Sequence, residues 1–389
     1  MSHPANLRVV MAGLGALALA GCTDQLPGIE GTQSLKVELV SPADPGSVDQ
    51  RLPDDALSVS LRVQALDEQG QLDTSFTGDV DVYVQFLGSL TPELGRRPLA
   101  TIPMTAGESA VAAVDLPPVF GPTFMWVEDG SRDGATYATG TSPTLWYRDP
   151  YLADISTPDD EAALDALSAS PLESKQVTVD GSRYGANGRI VVTGVYAQGY
   201  TVSDVECADA DGTPPCTTGD YDHVLIYSFS RPKDEQGRNI TAGQFIDGFA
   251  GAVEEFNGLT EIGFPQSFVS EDPITVDEAR IPPPAVVQES WLTDVIEFER
   301  RESGLVEIDD AVLCDLDNDY ATYKQWKLDI GRGCGAAINV ITAGVIDFEP
   351  ADYVGQTIPK VVGTLRPVNI GSFNVWIIYP RSAPDLTLP

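Results

Sequence analysis

Hydrophobic and polar residues alternate along most of this 389-residue chain. Leu35, Val37 and Leu39 take every second position, as do Leu57, Val59, Leu61, Val63 and Ala65, and then Val80, Val82, Val84 and Phe86. That period puts one face of each segment in a core and the other in water, so each predicts a half-buried strand. Asp67–Gly78 joins the second and third segments and is dense in turn formers. Further strands are predicted at Ser109–Leu116, Thr123–Glu128 and Tyr137–Tyr147. Helical signals are sparse. Pro158-Asp159-Asp160-Glu161 ahead of Ala162–Leu167 puts carboxylates where a helix N-terminus favours them and predicts two turns. Pro282-Pro283-Pro284 makes a stiff break, and Gln288–Glu299 beyond it has the pattern of an amphipathic helix.

The last 217 residues contain an internal repeat. Its first copy runs through Gly188–Val192, Tyr200–Asp204, His223–Phe229, Gly243–Ile246 and Leu259–Pro265. The second runs through Gly304–Ile308, Lys324–Asp329, Ala337–Thr342, Gly355–Ile358 and Asn374–Pro380. In both, a further glycine (Gly251, Gly363) follows the Gly-Gln pair by eight residues, and the copies are offset by 116 residues at the first glycine and 112 at Gly-Gln. Five short strands per copy, the fourth introduced by a glycine turn, predict two five-stranded barrels.

The stretch from Ala65 through Asp-Thr-Ser-Phe-Thr-Gly to Val84, with Phe120-Gly121-Pro122 before Trp126, resembles bacterial immunoglobulin-like domains. The two repeat copies resemble the OB-fold domains of exported bacterial proteins, some of which accompany nucleases. The expected fold class is therefore all-β: an immunoglobulin-like β-sandwich over 34–147, then OB-like barrels over 173–268 and 303–389. Residues 148–172 and 269–302 are expected as linkers, each with a short helix.

Ahead of these lies an apolar run, Val9–Ala20, too short to span a bilayer, which takes ~20 residues. It ends in Leu19-Ala20-Gly21-Cys22, which resembles the lipobox of bacterial lipoproteins. The resemblance implies a cleaved signal peptide over 1–21, lipidation at Cys22, a tether over 22–33 and attachment to a membrane. Thr23, in place of the aspartate of inner-membrane retention, favours the outer membrane. With Cys22 carrying lipid, Cys207, Cys216, Cys314 and Cys334 form an even set, which in an exported chain predicts two disulfides. Three connectivities exist; proximity favours Cys207–Cys216 and Cys314–Cys334.

With 58 acidic against 23 basic residues the chain carries a net charge of −35. Such a chain repels polyanions, which makes nucleic acid a disfavoured partner. Only His223 remains beyond the leader, so multi-histidine metal sites are excluded, and no G-x-S-x-G or phosphate-loop motif is present. His223 beside Asp220 and Asp222 reads as a hydrogen-bonded surface histidine rather than an acid–base group. Asp315, Asp317 and Asp319 alternate like the opening of a calcium loop, although Tyr320 occupies the turn-glycine position; calcium is the one cofactor this suggests.

The binding candidate is Tyr320–Arg332, where Tyr323, Lys324, Trp326, Lys327 and Arg332 gather on the second barrel's second strand. Aromatic rings with flanking cations stack on bases or sugars. Strand alternation puts Trp326 with Leu328 towards the core and pairs Tyr323 with Lys327 on the outer face. The function expected is that of a non-enzymatic, lipid-anchored envelope protein whose OB-like faces bind a glycan or a protein partner. The alternatives are an extracytoplasmic nucleic-acid binder and a hydrolase with a carboxylate site that carries no motif.

Overall fold

Each alternating segment of the N-terminal region is a strand whose apolar side chains point into one core. The computed structural model describes residues 31–86, 97–130, 138–158, 169–370 and 373–389. Cys22, the leader and the helix expected over 162–167 lie outside them. The architecture is all-β, with three sheets, each around its own core.

The first sheet contains β1 (Ser34–Ser41), β2 (Ser58–Leu66), β3 (Gly78–Phe86), β4 (Ala100–Thr105), β5 (Glu108–Ser109), β6 (Ala112–Asp115), β7 (Pro122–Asp129), β8 (Thr139–Thr141) and β9 (Leu145–Trp146). Its order is β1-β2-β5-β4-β3-β7-β8, with β6 also on β2 and β9 on β7. Val59, Leu61, Val63 and Ala65 of β2 are fully buried against Val80, Val82, Met125 and Val127. The two layers of the expected sandwich are thus joined: the short β5 links β2 to β4, and a single sheet folds over its own core.

The second sheet contains β10 (Gln176–Val179), β11 (Gly188–Tyr196), β12 (Gly199–Glu206), β13 (His223–Tyr227), β14 (Phe245–Ile246), β15 (Gly248–Phe256) and β16 (Leu259–Phe268). The strands run β11-β12-β13-β16-β15, with β13 and β16 parallel. β14, just ahead of β15, pairs back onto β11 and closes the circuit. The third sheet contains β17 (Ala285–Val286), β18 (Leu305–Leu313), β19 (Gln325–Asp329), β20 (Ile338–Ile341), β21 (Thr357–Ile370), β22 (Phe373–Tyr379) and β23 (Leu386–Thr387). It repeats the same circuit, β18-β19-β20-β22-β21, with β20 and β22 parallel and β21 closing onto β18. The repeat in the sequence is therefore a repeat of closed strand order.

The expected linkers also fill cores. Helix α1 (Leu152–Ser156) buries Leu152 and Ile155 in the first barrel. The helix expected over Gln288–Glu299 is instead a 3-10 turn (Glu289–Leu292) followed by α2 (Ile296–Glu299). The Thr293 hydroxyl donates back to the Ser290 carbonyl at 2.9 Å, a local bond that competes with helix propagation. Trp291 and Phe298 enter the second core from these two pieces, and Phe298 stacks on Trp376 at 5.7 Å.

Both disulfides pair neighbours in sequence, Cys207–Cys216 and Cys314–Cys334. The second follows from strand pairing: Leu313 lies opposite Leu328 and the Cys314 amide donates to the Lys327 carbonyl at 2.9 Å, so the turn after β19 carries Cys334 back to it. The repeat's eighth-residue glycines have a common cause. A Cβ at Gly251 would lie 2.4 Å from Ile262 Cγ2, and one at Gly363 2.7 Å from Ile378 Cγ2. The fourth strand of each barrel thus passes too close to the fifth for any side chain.

Gly251→Ala or Gly363→Ala should destabilise the protein by about 1–3 kcal/mol through overpacking. Gly335→Ala, with nothing within 4 Å of its Cβ position, serves as the control. Thermal unfolding checks this: wild-type midpoints for the two core variants would show that the strands can separate freely.

Candidate functional site

The sequence stretch Tyr320–Arg332 is assembled, but for internal use. Asp317 caps helix α3 (Asn318–Tyr323), its Oδ1 accepting from the Asp319 amide at 2.9 Å and the Tyr320 amide at 3.3 Å. Lys324 then turns left-handed (φ 61°) and the chain enters β19. Tyr323 is therefore helical and does not share a strand face with Lys327, because the Asp317 cap starts a helix where strand alternation was expected. Trp326 is 1% exposed, with its indole N–H donating to Thr342 Oγ1 at 3.2 Å, a core residue. The Lys327 ammonium donates to Asp317 at 2.6 Å and Asp319 at 2.8 Å. That hydrogen bond holds the Asp317 carboxyl below its usual range. Arg332 pairs with Glu289 at 2.9 Å, and Lys324 lies over the Tyr320 ring at 5.0 Å.

These pairs also settle the acidic loop. Asp317 and Asp319 neutralise Lys327 while Asp315 stands exposed, and among the described residues no group of three His, Cys, Asp or Glu could hold a metal ion. The aspartates expected to open a calcium loop are spent on Lys327 and on the cap of α3.

The outer face of the first barrel is not a free surface either. Thr193, Thr201, Ser203, His223 and Glu261 are all buried at the junction with the second barrel. Arg381, paired with Asp385 at 2.7 Å, donates to the Thr193 carbonyl at 2.8 Å. Arg366 lies over the Tyr196 ring at 4.2 Å and the Tyr379 ring at 5.1 Å. The Thr260 amide donates to Glu302 at 2.8 Å, the Tyr221 amide to the Arg300 carbonyl at 2.9 Å, and Arg301 pairs with Asp220. Gly304 sits so close to His223 that a Cβ would lie 2.5 Å from its Cδ2.

His223 is thus a junction residue, 4% exposed, and the expectation of a surface histidine is corrected. Burial, with the nearby Arg301 and Arg183 charges, lowers its pKa to about 3, so the ring is neutral. Its Nδ1 lies 2.7 Å from Ser203 Oγ, but both are sealed from solvent and no substrate can approach them. Asp222 turns to Arg183 at 2.7 Å and to the Tyr184 hydroxyl.

Buried carboxylates gather at the same junction. Glu255 accepts from the Thr260 hydroxyl and the Ser170 amide, each at 2.7 Å, while Glu302 holds the Thr260 amide and leaves its Oε2 without a partner. Burial, then the charges of Glu299 and Glu255, raise the Glu302 pKa well above the ordinary carboxyl range. Burial and Glu254 push Glu261 up to about 7 against the opposing pull of Arg366, and burial carries Asp204 up to about 7. The cavity of about 400 Å³ on this junction is walled by Gly194, Pro282–Pro284, Leu305 and Arg381 and reaches none of these carboxylates. A larger groove of about 520 Å³, between the first sheet and the first barrel, is walled mainly by Tyr83, Pro117, Pro118, Phe120 and Leu172. Its one carboxylate, Asp154, is held by Arg148 at 2.6 Å.

The exposed feature that none of this consumes is aromatic. Tyr227 ends β13, and its ring meets Phe229 edge-on at 5.4 Å; Phe229 meets Phe264 of β16 at 5.5 Å. Phe229 is 68% and Phe264 71% exposed. Phe264 has φ +50°, a left-handed conformation unfavourable for a bulky residue, at the point where the β15–β16 register slips. Such bulges re-aim a side chain. Ser228 and Ser230 separate the rings in sequence, and Arg231 and Lys233 follow, both exposed. Sequence reading absorbed these phenylalanines into strands; the available signal was Phe229 between two serines ahead of Arg-Pro-Lys.

No protein-family model matches the chain, and no curated protein matches it. Among solved structures, dimeric latent PorU from Porphyromonas gingivalis is similar over 90% of this chain and 34% of its own, at 13% identity and a TM-score of 0.22. The chain spans about a third of that protein, and a likeness so slight carries no argument.

The buried carboxylates make stability depend on pH. Glu261, Asp204 and Glu302 keep protons in the folded chain that they release in the unfolded one, so their contribution falls as pH rises from about 4.5 through about 7. His223 acts in the opposite sense, its contribution being lost as pH falls from 6.5 towards about 3. Glu302→Gln should therefore raise the thermal midpoint at pH 8 and converge on wild type near pH 5. Equal destabilisation of the variant at both pH values would mean that an ionised Glu302 is needed.

Proposed function

We propose that this is a non-catalytic binding protein of the bacterial cell envelope, and that it holds a saccharide on the Tyr227–Phe229–Phe264 surface. The observation that carries the reading is the pair of phenylalanine rings, 5.5 Å apart and each about 70% exposed, one of them on a left-handed backbone. Neither ring is needed by the core beneath, which Ile226 and Ile262 complete. An L-residue held at positive φ is a strain of about 1–3 kcal/mol that persists where the surroundings enforce it, and such residues cluster at binding sites. Flat exposed rings stack on the apolar faces of sugar rings, and the neighbouring Ser228, Ser230 and Gln266 supply polar groups for their hydroxyls.

Strand order supports the OB-fold reading of both barrels, since a closed five-strand circuit with one parallel pair is what that fold requires. In this reading the face usually used for ligands is taken up in the first barrel by its sister. The ligand then falls to the edge where β13 meets β16. The lipobox at Leu19–Cys22 supports attachment to the outer membrane, with the first sheet as a spacer. Nucleic acid is disfavoured by the pairing of Lys327 and Arg332 with carboxylates. A hydrolase is disfavoured by the sealing of Glu302 and His223.

Affinity electrophoresis of the purified protein through gels containing envelope or plant polysaccharides should show retardation by at least one of them. Phe229→Ala with Phe264→Ala should weaken that retention about tenfold or more, ~1.4 kcal/mol, without lowering the thermal midpoint. Retention unchanged in the double variant would remove the aromatic surface from the reading.

A further inference from the structure

We infer that the ligand of the aromatic surface is an acidic polysaccharide, one whose sugar rings carry carboxylates, and that Arg231 and Lys233 are its counter-charges. This rests on the reading of Phe229 and Phe264 as a stacking surface and names the class of sugar it takes.

The argument is one of accounting for cations in an acidic chain. Eleven lysines and arginines among the described residues are held in ion pairs. With 58 acidic residues available to 23 basic ones, a cation on this surface finds a carboxylate by default. Arg231 and Lys233, like Lys36 and Arg97, are exposed and without an ion pair or side-chain hydrogen bond among the described residues, and these two alone among the four follow the exposed Phe229 in sequence. Their sequence neighbours Asp234 and Glu235 do not neutralise them. Asp234 is buried, its carboxylate accepting from the Arg238 side chain at 2.6 Å and from the Gln236 and Arg238 amides. Glu235 accepts from the Val269 amide at 3.1 Å. Asp234 is thus turned inward where two exposed cations follow an exposed ring, while Glu235 stays exposed and pairs with neither of them.

Charge density decides the kind of anion. Nucleic acid binding needs many phosphate contacts, each neutralised by a cation. Two cations close in sequence to a cluster of exposed, tilted rings in a chain of net charge −35 suit a polymer whose charges are spaced one per sugar. Screening over about 8 Å at physiological salt keeps the distant acids from cancelling them.

The test uses the full chain and two polymers of the same linkage, a polyuronate and its carboxyl-reduced neutral form. Binding to the polyuronate should be about tenfold tighter, and that advantage should vanish in Arg231→Gln with Lys233→Gln. The same pair of substitutions should leave affinity for the neutral form unchanged. Phe229→Ala with Phe264→Ala should abolish both. Equal affinity for the two polymers, or an acidic preference that survives loss of both cations, overturns the charge inference while the stacking surface stands. Binding to neither polymer overturns both, and tighter binding to a single-stranded oligonucleotide lost in the same variants replaces the sugar with nucleic acid.

Discussion

The junction between the two barrels is the constraint on which the rest of this molecule depends. Strands β11, β12, β13 and β16 present threonine, serine, histidine and glutamate outwards, a face that would be ordinary in water. It is instead buried, and a buried polar group without a partner is costly. The partners come from the second barrel and the segment leading into it: Arg381 for the Thr193 carbonyl, Glu302 for the Thr260 amide, Thr364 for the Tyr196 hydroxyl. Ser203 and His223 satisfy each other. Because the face is polar, the fit is directional: shifting the second barrel by one residue would strand several of these groups at once. The same burial takes the face away from any ligand.

Charge in this chain is managed locally rather than by balance. Lys327 is claimed by two aspartates and Lys360 by Glu307 and Asp309, so the few cations close loops and strand edges instead of forming a basic patch. Where carboxylates have no cation to meet, as at Glu302, burial raises their proton affinity until neutrality replaces pairing. One net charge therefore covers two opposite local tendencies, ionised pairs at the rim and carboxyls of raised proton affinity at the junction.

Much of the fold was legible because its signal has period two. The strands of the first sheet, the repeat, the paired glycines and both disulfides all follow from spacing along the chain. What spacing does not carry is which outward face meets water. His223 read as a surface residue, and nothing in its spacing shows that Gly304 and the segment around it lie against its ring. The Tyr323–Lys327 pairing failed for a local reason, since one aspartate cap put Tyr320–Tyr323 in a helix instead of a strand and left Lys327 facing carboxylates. Phe264 was hidden by the opposite fault: it continues an alternating strand in sequence, while a register slip turns it outwards.

The two barrels also differ where their likeness would be hazardous. A repeated unit that buries its face against a sister of the same fold makes a head-to-tail contact, and such contacts extend into open chains unless something ends them. The first copy passes from β11 to β12 through Ala197 and Gln198 alone, leaving its face open to the second. The second copy has Cys314–Lys324 at that place, and the added length folds as α3 beside β19. Asp317 and Asp319 of this insertion take Lys327, the outward residue of β19, and Gln325 is turned to Asn339 at 2.8 Å. The equivalent face is thereby closed within the chain, with its disulfide anchoring both ends of the hairpin. The stretch whose aromatic and basic residues suggested a ligand site is better explained as this closure. Its residues are close together because they must satisfy one another, and the open aromatic surface lies on the copy that has no such insertion.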